Sequence, residues 1–226
     1  MKEDLTVLQP NIRETLRYLG AGDNPPDTLY EQAQTISQQL SLRLQPRYVY
    51  RIFPILRKGD LFSLPQAGII LGGNTAGTML GSCHQAVLLC CTLGTEFDTM
   101  LRARQARDMA EAVILDACGS ALVEAGCDAV QRELQELFPD QHLTDRFSPG
   151  YGDLPLTLQP LICTALDAGR RIGVHVTPSL LLNPSKSVTA IVGLSHQPQM
   201  ARVRGCGYCS MAETCALRKG GKRCAL

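Results

Sequence analysis

The chain has no tryptophan, few aromatic residues of any kind and almost no net charge. Its 226 residues carry a formal charge of +1, so no overall electrostatic field favours nucleic acid as a partner. Apolar runs such as 86–91 are far shorter than the ~20 residues that a membrane-spanning helix needs. The first residues also lack the basic-then-apolar pattern of a secretory signal. We therefore expect a soluble, cytoplasmic protein.

Cysteine, in contrast, is abundant, and the ten cysteines divide into two groups. Six lie in apolar segments and are interpreted as small core residues, which a cytoplasm keeps reduced: Cys83, Cys90, Cys91, Cys118, Cys127 and Cys163. The other four fall within nineteen residues of a tail that is poor in apolar residues: Cys206, Cys209, Cys215 and Cys224.

Four thiolates could order the tail by binding one metal centre together. Zinc and an iron–sulfur cluster both accept four cysteines, and the spacing is not that of a usual paired zinc ribbon. Six basic residues accompany a single acidic residue in the tail, and they would offset the charge of the thiolates. Unliganded thiols on a flexible tail are the alternative interpretation.

Hydrophobic periodicity predicts an α+β fold, with helices around an antiparallel or mixed sheet. Strand signals at 48–53, 61–71, 86–93, 174–176 and 188–194 alternate with helical segments. The run 86–93 is apolar throughout, as in a strand covered on both faces. Residues 95–138 are predicted to be mostly helix and to form the spine of the fold. Gly119 and Gly126 on this long helix indicate a neighbour that packs very close.

The segment from Arg146 to Pro155 contains two prolines and two glycines, which exclude a helix or a regular strand. It therefore predicts a loop of fixed path that carries Arg146 and Tyr151. Gly150 allows a ligand to approach the backbone, and a guanidinium suits a carboxylate. A rigid connector with a solvated arginine is the alternative. Gly72-Gly73-Asn74 precedes a predicted helix and could bind an anion, although a simple turn is the more ordinary interpretation.

Arg146-x-x-x-Gly150-Tyr151, followed by proline, resembles the S-adenosylmethionine-binding motif of the activation (reactivation) domain of cobalamin-dependent methionine synthase. Val176-Thr177-Pro178-Ser179 and the segment 183–193 are similar to the second signature of that family, in the same order. The resemblance covers roughly 45–197 and is closest to stand-alone short forms. The resemblance implies an activation-like domain at 46–200. Helical patterning before it indicates an N-terminal helical segment (1–45), and the four clustered cysteines after it indicate a metal-binding tail (201–226).

The resemblance also implies roles for individual residues. Arg146 would face the polar end of S-adenosylmethionine, and the Gly150-Tyr151 backbone would contact its adenosine end. Glu124, in the predicted long helix, resembles a ligand-binding glutamate that could attract the sulfonium or ammonium charge. Glu111 has similar local surroundings and is an alternative, and a solvated helix face is the ordinary explanation for either. Ser187 would lie near the cofactor on a strand.

By the same resemblance, the chain would be a component of methionine synthase (methyltransferase) activity and would support reductive remethylation of cob(II)alamin. The cobalamin would be carried by a partner methionine synthase or related corrinoid methyltransferase, because no Asp-x-His-x-x-Gly signature occurs here. A flavodoxin or ferredoxin would supply the electron. The alternative function is a non-catalytic metal-binding or assembly module for a corrinoid protein. A small-molecule methyltransferase is disfavoured, because no Gly-x-Gly-x-x-Gly loop is present.

Overall fold

The computed structural model describes residues 7–21 and 24–199. The helices in these residues are α1 (Ile12–Tyr18), α2 (Asp27–Arg43), α3 (Gly73–Leu80), α4 (Thr95–Gln105), α5 (Met109–Leu137), α6 (Leu158–Leu166) and α7 (Ala168–Ile172). The strands are β1 (Arg47–Pro54), β2 (Leu56–Lys58), β3 (Leu61–Leu64), β4 (Ile69–Leu71), β5 (Gln85–Thr92), β6 (His142–Leu143), β7 (His175–Val176), β8 (Leu182–Asn183) and β9 (Ser187–Ser195). The predicted α+β class is confirmed.

The main sheet has the strand order β1-β5-β9-β6, and all its pairs are antiparallel. Its central strand β5 is covered on both faces, as the continuous apolar run predicted. Ala86, Leu88 and Cys90 face one hydrophobic core, whereas the alternate residues Val87 and Leu89 face the other. A side-chain period of two therefore divides one strand between two cores.

Two helical layers enclose this sheet. α3, α6, α7 and the small antiparallel sheet β2-β3-β4 pack on one face. α1, α2, α4 and α5 pack on the other face, and α2 and α5 supply most of that core. Among residues 7–21 and 24–199, no helix is both long enough and apolar enough to cross a bilayer.

The long helix α5 approaches its neighbours at two glycines. A Cβ atom on Gly119 would lie 2.3 Å from Cζ of Phe97 on α4. A Cβ atom on Gly126 would lie 2.5 Å from Cβ of Pro46 and 2.8 Å from Sγ of Cys91 on β5. The close packing that the small residues predicted is thus present, and it brings α5 down onto the sheet.

Three local features differ from the sequence-based expectation. The segment 95–138 forms two helices rather than one, because the side chain of Asp108 caps a new start by accepting from the backbone N–H of Glu111 at 3.0 Å. The segment 61–71 forms two strands, separated by a 3-10 turn at Pro65–Ala67. Strand β6 has only two residues, too few for a period to be seen in the sequence.

We expect Gly126→Ala to destabilise the fold by about 1–2 kcal/mol, since the clash of an overpacked core outweighs the roughly 1 kcal/mol gain in helix propensity. Urea unfolding would measure the change. Gly77→Ala on α3 is the matched control, because nothing lies within 4 Å of its added Cβ. That variant should be as stable as the wild type or more stable. Equal stabilisation by both substitutions would contradict the close approach at Gly126.

Candidate functional site

Arg146 lies on a segment that runs along the edge of β9. Strand β6 pairs with Ser195 and Leu194, and the backbone of Phe147 then exchanges two hydrogen bonds with Ile191, at 3.1 and 2.8 Å. Arg146 is thereby fixed one residue before this bridge. Only 5% of its side chain is exposed, which is unusual for a group that is always charged.

The guanidinium of Arg146 is held by three side chains of α5. It contacts Glu124 at 2.9 Å and Asp128 at 2.7 Å, and it also donates to the side-chain oxygen of Gln131. These positions are separated by four and three residues, so they share one helix face. We call Arg146, Glu124, Asp128 and Gln131 the Arg146 cluster.

The Arg146 cluster carries more negative than positive charge. Burial acts to lower the pKa of Arg146, but the negatively charged groups around it, Asp128 and Glu124 among them, outweigh that effect and raise the pKa. The arginine therefore stays protonated and neutralises one carboxylate. The side chains of Glu124 and Asp128 are 37% and 52% exposed, so the excess negative charge faces solvent. A cation at this surface would be attracted.

The predicted loop that follows Arg146 is irregular, as expected, and it is tightly closed. The N–H of Gly150 donates to the carbonyl of Leu154 at 2.8 Å, and the N–H of Leu154 donates to the carbonyl of Tyr151 at 2.9 Å. Leu154 is buried in the core, whereas Tyr151 is 55% exposed at the tip. Gly150 has a φ of +92°, a backbone angle that side chains disfavour. The loop thus presents Gly150 and Tyr151 outward on a firm base.

A second contact ties this loop to α3. The carboxylate of Asp153 accepts from the backbone N–H of Asn74 at 2.6 Å and of Thr75 at 2.9 Å. The hydrogen bonds from Thr75 and Asn74 lower the pKa of Asp153 to about 2. The carboxylate is consequently fully ionised already at about pH 4, the pH at which a free aspartate is only half ionised. The anion anticipated at Gly72-Gly73-Asn74 is therefore a side chain of the protein itself.

Ser187 begins strand β9, and its hydroxyl is already engaged. Its oxygen lies 2.8 Å from Oγ1 of Thr92 and 2.7 Å from the carbonyl oxygen of Pro184. Thr189, two residues along, donates to the side-chain oxygen of Gln159 at 3.0 Å. In the part of the chain that the structure describes, no strand pairs with 187–190 on the side away from β5. This open edge begins next to the Phe147–Ile191 bridge.

Of the two candidate glutamates, Glu124 is the one that meets Arg146. Glu111 instead pairs with Arg104 of α4. The structure therefore brings Arg146 and Glu124 together, sets Gly150 and Tyr151 at the tip of the following loop, and leaves Ser187 in separate hydrogen bonds. The predicted metal ligands Cys206, Cys209, Cys215 and Cys224 lie outside the described residues. Within the described residues, no group of three or more metal-ligating side chains converges.

Sequence reasoning missed Asp128, Gln131, Asp153 and Thr75. A signal existed for the first two, because they follow Glu124 by four and seven residues and so lie on the same helix face. A surface recess of about 290 Å³ also lies along α5, between α1 and α4, and it ends at Ser120, one turn before Glu124. Neither Arg146 nor Tyr151 lines this recess.

These features define an α+β domain in which a buried arginine, an acidic helix face and a clamped glycine–tyrosine loop lie along one sheet edge. No protein-family model matches the chain, and no curated protein matches it significantly. Among solved structures, it is similar to a crystal structure of the MetH reactivation domain bound to AdoHcy, with a TM-score of 0.63. The match covers 86% of this chain and 72% of that chain at 18% identity. The likeness establishes a shared fold, and function has to be argued from the site.

We expect Arg146→Leu to destabilise the fold by about 1–3 kcal/mol, because it leaves two neighbouring carboxylates and an amide without their shared cation. Thermal or urea unfolding would measure the change. Arg170→Leu is the control: its ion pair with Asp167 is on the surface, with the arginine side chain 80% exposed, and such pairs are worth at most about 1 kcal/mol. Equal effects of the two substitutions would show that the buried cluster contributes no more than a surface pair.

Proposed function

We propose that this protein binds S-adenosylmethionine and supports the reductive remethylation of cob(II)alamin on a partner cobalamin-dependent methionine synthase or related corrinoid methyltransferase. One observation carries the proposal above the others. Arg146 and Glu124, to which the family resemblance gives ligand-binding roles, are 2.9 Å apart in a fold shared with the MetH reactivation domain bound to AdoHcy. The two ordered sequence signatures support the same ligand.

The charges of the Arg146 cluster suit this ligand. S-adenosylmethionine carries a positive sulfonium, a positive ammonium and a negative carboxylate. The excess negative charge from Glu124 and Asp128 favours the cationic groups. Arg146 would take the carboxylate by exchanging one of its present partners, since its side chain is almost fully enclosed. Gly150 and Tyr151, which are both exposed, would hold the adenosine end.

The proposed role of the chain is to bind and orient, whereas the partner's cobalamin supplies the chemistry. An external donor such as flavodoxin or ferredoxin would deliver one electron to the cobalt. The methyl group would then pass from the sulfonium to the cobalt, and the sulfur would keep the electron pair of the broken C–S bond. No proton is transferred, so no general base is needed.

The internal pairing of Arg146 gives the alternative function some weight. A guanidinium that is already satisfied by two carboxylates can be a purely structural group. In that case the chain would be a non-catalytic metal-binding or assembly module for a corrinoid protein, with the cysteine tail as its functional part. Binding of S-adenosylmethionine separates the two possibilities.

We expect the wild type to bind S-adenosylmethionine in calorimetry and Glu124→Gln to bind about tenfold more weakly, a loss of about 1.4 kcal/mol. The substitution removes one negative charge, while Arg146 keeps Asp128 as a partner, so the fold should persist. Glu124 is a better probe than Arg146, whose loss would also disturb packing.

Glu111→Gln is the matched control on the same helix, since Glu111 pairs with Arg104 rather than Arg146. Its affinity should equal that of the wild type. A wild type that fails to bind removes the proposed function altogether. If Glu124→Gln binds with unchanged affinity, or if Glu111→Gln binds more weakly than the wild type, the ligand does not bind at the Arg146 cluster.

We further propose that Cys206, Cys209, Cys215 and Cys224 bind one metal centre, with an iron–sulfur cluster preferred over zinc because reactivation needs an electron. Anaerobic purification with metal analysis and visible spectra should then find iron and sulfide with a visible chromophore. A colourless protein with one zinc keeps the site but excludes electron transfer through it. If no metal is present and all four thiols react freely with a thiol reagent, the site does not exist.

A further inference from the structure

We propose that Asp153 and Thr75 are positioning residues that hold the Gly150-Tyr151 backbone in its ligand-binding conformation by fastening the loop to the first turn of α3. This inference rests on the proposed function, because it assigns a role within the same site. Neither residue touches the Arg146 cluster in the contacts described above, so their effect on a ligand would be transmitted through the loop.

The contacts between loop and helix are reciprocal. The carboxylate of Asp153 accepts from the N–H groups of Asn74 and Thr75, and the N–H of Asp153 lies 3.4 Å from Oγ1 of Thr75. The N-cap position of α3 is Gly72, which has no side chain to cap the helix. Asp153, 78 positions beyond Thr75, therefore supplies the cap. The same hydrogen bonds satisfy the helix start and anchor the loop.

Two glycines allow this close approach. A Cβ atom on Gly73 would lie 2.5 Å from Oδ2 of Asp153, and one on Gly152 would lie 2.4 Å from Oγ1 of Thr75. Both glycines also have positive φ angles, +90° and +54°. Glycine is thus required on both sides of the contact, at Gly73 of the helix and at Gly152 of the loop. A looser contact between loop and helix would not require either glycine.

The Asp153 anchor holds the part of the loop that is not fixed by packing. Phe147 fixes the start of the loop on β9, and buried Leu154 fixes its end in the core. Between them, Tyr151 is exposed, so packing does little to hold the tip. Asp153 is two residues from Tyr151 and is the side chain in this stretch that bonds to another element. Loss of the anchor would let Gly150 and Tyr151 sample other conformations and lower the population that can bind.

The test compares Asp153→Ala and Asp153→Asn with Asp108→Ala. Asp108 also caps a helix, α5, by accepting from the N–H of Glu111, but it lies far from the loop in sequence. Affinity for S-adenosylmethionine would be measured by calorimetry, and exchange of the Gly150 and Leu154 amide hydrogens by mass spectrometry or NMR without ligand. We expect Asp153→Ala to weaken binding at least tenfold and to speed amide exchange. Asp153→Asn should fall between that variant and the wild type, because its one acceptor oxygen can keep only one of the two hydrogen bonds from Asn74 and Thr75. Asp108→Ala should change neither the affinity nor the exchange.

Failure of this inference and failure of the proposed function give different results. If the wild type binds and Asp153→Ala binds equally well, the anchor has no positioning role, although the proposed function stands. If Asp108→Ala weakens binding as much as Asp153→Ala, the effect is one of general stability, and the inference is again overturned. If the wild type does not bind, the proposed function fails, and the positioning role fails with it. Unchanged amide exchange in Asp153→Ala would overturn the anchor itself.

Discussion

The burial of one positive charge, that of Arg146, constrains the arrangement of this molecule. A guanidinium withdrawn from water is stable only when anionic or polar partners surround it. Here all the partners come from one face of α5, and the arginine comes from the strand edge. The pairing therefore fixes where the long helix lies relative to the edge of the sheet. The close contact of Gly126 with Cys91 fixes the distance between α5 and the central strand β5 of the same sheet.

The charges of the Arg146 cluster determine which kind of ligand could bind beside it. Arg146 is not an unpaired cation, because Glu124 and Asp128 already neutralise its charge. The surface beside it is acidic, and a ligand with a sulfonium or ammonium group gains most there. A ligand that carries charges of both signs can replace one of the internal ion pairs without leaving a buried charge unpaired. That exchange favours a zwitterionic ligand over a simple anion.

The features that sequence alone predicted depend on local chemistry. The continuous apolar run at β5 and the glycine–proline loop after Arg146 both follow from a few neighbouring residues. The features that it missed depend on distant ones. Strand β6 exists because two residues meet the end of β9, and Asp153 caps a helix 78 positions away. The break before α5 is an intermediate case. Asp108 followed by Glu111 is a local signal for a helix start, but the helical periodicity continues across it and hides the break.

Helix α3 lies between the loop anchor and the last described residue, Gln199. Its first turn holds Asp153 of the loop, and just beyond its last turn the hydroxyl of Ser82 donates to the side chain of Gln199 at 3.0 Å. Gln199 is the last residue that the structure describes. Eight helical residues span about 12 Å, at roughly 1.5 Å for each residue. Gln199 is therefore held about one short helix away from the loop anchor.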